Sequence, residues 1–113
     1  MKEKTTRSNI FTRSSLTKKQ ARQFLSQVPE PNVFWCNDGS VFRDIKELKN
    51  ALAAMSDYTF AYHCNDSKKD FSNWIRDVVG DEKLARNLES ASDRHEALKI
   101  VEERCSLLAG KAG

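Results

Sequence analysis

The chain has no long hydrophobic run. Its longest apolar stretches, such as Ala51–Met55 and Val33–Cys36, reach four or five residues, against the ~20 a membrane-crossing helix needs. No membrane association is expected. The first seven residues, Met1-Lys2-Glu3-Lys4-Thr5-Thr6-Arg7, lead into no apolar core, so an ordinary secretory leader is not expected. The three cysteines are an odd number without CxxC spacing, which fits free thiols in a reducing cytoplasm better than a disulfide scaffold. The four glycines stand apart at positions 39, 80, 110 and 113 and form no phosphate-cradling loop. GxSxG, HExxH and DxDxDG patterns are missing too, so no cofactor is indicated. No period of 20–50 residues recurs, which excludes a solenoid.

What remains is a 113-residue chain with 39% hydrophobic and 31% charged residues. That suits one soluble domain burying roughly 65% of its unfolded surface, without need of a metal or disulfide. Its charge is uneven. Residues 1–22 carry Lys2, Lys4, Arg7, Arg13, Lys18, Lys19 and Arg22 against Glu3 alone, a balance of +6 within a net +3, so residues 23–113 are acidic at −3. A basic, Ser/Thr-rich arm of this kind can contact phosphate backbones by counterion release, or serve as a solvated terminus. Residues 1–14 have no sustained apolar period and are expected to be a flexible basic arm, followed by a single domain over 15–109.

Thr17 and Gln20 form a capping-box pattern with Leu16 placed as a hydrophobic staple, and Ala21, Phe24, Leu25 and Val28 recur at helical spacing up to Pro29. Val33-Phe34-Trp35-Cys36 and Val41-Phe42-Arg43 flank Asn37-Asp38-Gly39-Ser40, the pattern of a hairpin over 33–43. Asp44 and Glu47 suggest a second capping box before the stripe Ile45, Leu48, Leu52 and Met55. Over residues 58–64, Tyr58, Phe60, Tyr62 and Cys64 alternate with period two after a Ser56-Asp57 cap. Helix and strand compete there, with a short helix favoured. Asp66 or Ser67 is placed to cap a helix with Phe71, Trp74, Ile75 and Val78 inward, closed by Gly80. Leu84, Ala85 and Leu88, then Ala97, Leu98, Val101, Cys105 and Leu108, mark two further helices, with a frayed tail over 110–113. The expected fold is mostly α (α+β): about five packed helices with one small β-hairpin.

One string stands out: Phe60-Ala61-Tyr62-His63, Lys68-Lys69-Asp70-Phe71, Asn73-Trp74-Ile75, Val79-Gly80-Asp81 and Leu84-Ala85. It is similar to a small uncharacterised archaeal and bacterial family, a domain of unknown function, over about half the chain. Such domains usually read Lys-Asn-Asp-Phe where this chain has Lys69 in place of the asparagine. The resemblance implies a short stand-alone or appended module, more adaptor than catalyst, and carries no assigned activity.

The chemically suggestive residues cluster in Tyr62–Asp70. His63 can be a base or metal ligand oriented by Asp70, or a pin that bonds a carboxylate or backbone group and holds the loop. Cys36, His63, Cys64, His95 and Cys105 are zinc-compatible by type, but their spacing lacks the paired ligands of structural sites. The aromatic residues can form a stacking platform or a core. Adjacent strand residues face opposite ways, so either Phe34 or Trp35 should reach the surface. The expected interaction surface is Trp35, His63, Asn65, Lys68, Lys69 and Asp70, with no catalytic or metal residue assigned. These features predict a non-enzymatic binding module for a protein partner, monomeric or weakly dimeric. Two alternatives are a nucleic-acid- or ribosome-associated protein using the basic arm, and a small enzyme or metal protein centred on His63.

Overall fold

The computed structural model describes residues 16–113. The expected arm, with Lys2, Lys4, Arg7 and Arg13, lies outside the described residues.

Side-chain capping starts most of the helices. Thr17 Oγ1 accepts from the Gln20 N–H at 3.0 Å while Gln20 Oε1 accepts from the Thr17 N–H at 3.1 Å. This completes the box that opens α1, Lys18–Leu25. The helix ends before Val28, whose N–H donates instead to the Arg43 carbonyl. After a 3-10 turn, Glu30–Asn32, strands β1, Phe34–Trp35, and β2, Val41–Phe42, pair antiparallel with Phe34 opposite Phe42. Gly39 takes φ +94° in the turn, a region that glycine enters without a Cβ penalty. Asp38 Oδ1 accepts from both the N–H and the hydroxyl of Ser40.

Asp44 caps α2, Ile45–Ala54, through the Glu47 N–H at 2.8 Å. The reciprocal half of the expected box differs, because the Glu47 carboxylate reaches one residue further back to the Arg43 N–H at 2.7 Å. Ser56 then caps α3, Asp57–His63. The period-two alternation over 58–64 yields to helical geometry: Thr59, Phe60 and His63 turn inward, and Tyr58 and Tyr62, four apart, turn outward. The helix α4, Asp70–Trp74, runs into a π-helical turn, Ile75–Val79, which Gly80 closes at φ +92°. Neither Asp66 nor Ser67 caps α4. Lys69 occupies the cap position without a side-chain bond, because Asn65 has organised the preceding turn. Asp81 caps α5, Glu82–Glu89, and Asp93 caps α6, Arg94–Ala112.

The helix α6 extends through Gly110 to Ala112, so the tail expected to fray over 110–113 is helical for most of its length. The packing of α1 along α6 and a bond from Arg22 Nε to the Ala112 carbonyl at 3.2 Å hold it there. These contacts offset the ~1 kcal/mol a helical glycine costs. Packed against α1, α2 and α5, α6 contributes Ala97, Val101, Cys105 and Leu108 to the core. The architecture is therefore six α-helices among the described residues, with one two-stranded hairpin laid over the core.

Candidate functional site

The hairpin delivers two aromatic rings in opposite directions. Phe34 goes inward, stacks on Phe42 at 5.1 Å between centroids, and meets Phe71, Trp74 and His63. Its neighbour Trp35 is 73% exposed. On α3, Tyr58 is 75% and Tyr62 44% exposed, and the Lys68 ammonium sits 4.1 Å above the Tyr62 ring, within cation–π range. The other tryptophan, Trp74, is buried and its indole N–H donates to the Asn32 carbonyl at 2.8 Å.

His63 is only 5% exposed and ties three elements together. Its Nε2 accepts the Asn37 N–H from the hairpin turn at 2.9 Å, and its Nδ1 lies 2.9 Å from Asp70 Oδ2 at the start of α4. A nitrogen that accepts carries no proton, so the ring is the neutral tautomer with Nδ1–H donating to Asp70. Both ring nitrogens are engaged within the chain, leaving no basic lone pair directed at a substrate. Asp70 also receives Lys68 Nζ at 3.3 Å.

Asn65 is likewise occupied. Its amide nitrogen donates to the Ala61 carbonyl at 2.8 Å, and its Oδ1 accepts from the N–H groups of Ser67 and Lys68 at 2.8 and 3.2 Å. One side chain thus satisfies the orphan end of α3 and shapes the turn into α4. Cys64 and Lys69 close the same turn through a backbone bridge. Of the expected surface residues, His63 and Asn65 therefore act as fasteners, Asp70 anchors His63, and Trp35, Lys68 and Lys69 remain solvent-accessible to differing degrees.

The zinc-compatible residues do not assemble. Cys105 donates its thiol towards the Ile45 carbonyl in the core, and Cys36 lies in the hairpin. All three cysteines are free. Among the described residues no group of three or more His, Cys, Asp or Glu is arranged to hold a metal ion. Cys64 and His95 do line a common cavity of about 360 Å³ with Asp57 and Arg94. Burial pushes the Cys64 thiol up, with Lys69 partly opposing it, so it favours the protonated and less nucleophilic form. Arg94 is committed to Asp57 Oδ1 and to the Leu52 carbonyl, both at 2.9 Å.

A buried ion pair lies away from the expected surface. Asp81 is 1% exposed, and the Arg104 guanidinium grips it with Nε on Oδ2 and Nη2 on Oδ1, both at 2.8 Å. The Asp81 carboxylate also caps α5 through the Leu84 N–H. Its place at the start of α5, just before Glu82, also complements the helix dipole. No local signal pairs it with an arginine 23 positions away.

No family model, no curated protein and no solved structure matches this chain. Among the described residues, no helix is long and apolar enough to cross a membrane.

Proposed function

We propose that the chain is a non-enzymatic adaptor that binds a protein partner through its exposed aromatic residues, Trp35, Tyr58 and Tyr62, with Lys68 over the Tyr62 ring. The observation that carries this reading is the exposure of Trp35 on a strand whose other ring is core. Large exposed aromatic groups at low conformational cost are favoured anchors in protein interfaces. The hairpin and the end of α3 are fixed to each other by His63, so Trp35 and Tyr62 belong to elements held in direct contact. That pre-organisation lowers the ordering cost of binding.

Satisfaction of every His63 nitrogen inside the fold supports a binding role over the small-enzyme alternative. The partner is a protein with an apolar patch flanked by carboxylates, complementary to the tyrosine–lysine pair. The three free thiols support a reducing, cytoplasmic setting, in which the module acts as a monomer or weak dimer. The test is site-specific photo-crosslinking from positions 35 and 58 in cells, with position 86 on α5 as control. A discrete protein crosslinked from the first two positions and not the third is the expected result. Equal, diffuse crosslinking from all three refutes the reading.

A further inference from the structure

We infer that a second surface, the groove between α1 and α2 over the C-terminal half of α6, binds the phosphate backbone of a single-stranded nucleic acid. The groove encloses about 200 Å³ and is lined by Leu25, Lys46, Lys49, Cys105, Ser106 and Ala109. No carboxylate is among these lining residues, although the chain beyond residue 22 is net acidic. Lys46 and Lys49 stand one helical turn apart on α2, with β-carbons about 5–6 Å from each other, a spacing comparable to that of neighbouring phosphates. Neither lies within salt-bridge distance of a carboxylate among the described residues.

The opposite wall continues the charge. Leu25 lines the groove from α1, and Lys18 and Arg22 precede it at helical spacing on the same side of that helix. Arg22 is steered towards the end of α6 by its bond to the Ala112 carbonyl. The first turn of α1 contains no acidic residue. Lysines on a concave wall supply point charges without bidentate base recognition, which specifies backbone binding independent of sequence. A bilayer suits this geometry poorly, because Leu25 is the one large apolar side chain among the lining residues and it faces the groove.

The experiment measures fluorescence anisotropy of a labelled oligouridylate of about 20 nucleotides with the full chain, across about 50 to 200 mM salt. Lys46→Glu/Lys49→Glu is compared with a charge-matched control, Lys83→Glu/Lys99→Glu, and both folds are checked by circular dichroism. The expected result is affinity that falls with salt and is ~10-fold lower in the groove variant. Its salt slope should also be smaller by about 1.4, at about 0.7 for each lysine removed from a single strand. The control should bind like the parent. Should Lys46→Glu/Lys49→Glu unfold, Lys46→Gln/Lys49→Gln must show the same reduced slope. An equal loss in groove and control variants overturns the inference, because net charge alone then explains it. Unchanged binding by the groove variants overturns it in favour of the arm, and binding to phosphatidylserine vesicles without binding to the oligonucleotide overturns it in favour of a membrane surface.

Discussion

His63 shows how a residue with catalytic potential is used as a fastener. It supplies an acceptor to Asn37 and a donor to Asp70 from one buried ring, so removing it strands two partly buried groups. His63→Ala should cost about 2–3 kcal/mol, the penalty for unsatisfied buried partners, measured by urea denaturation. A loss below about 0.5 kcal/mol, typical of neutral surface changes, would contradict the assignment. The pair Asp81–Arg104 makes a sharper case, because breaking a buried pair leaves an uncompensated charge. Arg104→Met should cost about 3–5 kcal/mol, and more than the corresponding loss of the exposed Arg86, which reaches Glu82 only at 3.7 Å. The thiols give the pH dependence. Burial raises Cys36, Cys64 and Cys105 above the ordinary thiol range, so the unfolded chain loses these protons at lower pH than the folded one. Their contribution is therefore complete below the ordinary thiol value and declines as pH rises from it through the raised folded values. Urea midpoints should fall over that alkaline window, and a thiol reagent at neutral pH should label the buried Cys36 and Cys105 only on unfolding.

Element by element, the parts of the fold written in short-range chemistry were the parts legible in advance. Thr17, Asp44 and Ser56 cap the helices that their positions suggest, and the hairpin follows from β-favouring runs around a glycine turn. Gly80 stops the π turn as its place after Val79 implies; Gly80→Ala should cost about 1 kcal/mol through the left-handed backbone it must keep, read from thermal melts. The start of α4 differs from the Asp66 or Ser67 cap for a physical reason. Asn65, Asp66 and Ser67 are all capping residue types, but Asn65 makes its bonds around the preceding turn and leaves the cap of α4 to Lys69. Residues 58–64 alternate like a strand, yet the short helix favoured there is the one that forms, with Phe60 and His63 packed against Phe71 on its inner face. The end of α6 depended on its contact with α1, which no pattern near Gly110 encodes.

Across the whole molecule, most of the string between Phe60 and Ala85 has structural work in this fold. His63 and Asp70 pin the hairpin, Phe71, Trp74 and Ile75 fill the core, Gly80 closes the π turn, and Asp81 holds α5 to α6. Such a string describes a fold without naming a partner, which is why the fold was readable and the site only partly so. Trp35 was recognisable from strand alternation, whereas the exposure of Tyr58 depends on which face of α3 turns inward. The two surfaces proposed here lie on different elements, aromatic on the hairpin and α3, basic on α1 and α2. The most direct measurement of the central claim is affinity capture at high salt by the full chain and by Trp35→Ala/Tyr58→Ala, with thermal melts of both. The account predicts a discrete protein retained by the parent and lost by the double variant, while stability changes by less than about 0.5 kcal/mol because both side chains are exposed. Retention of the same protein by the double variant, or the loss of all binding at high salt by both forms, would contradict it.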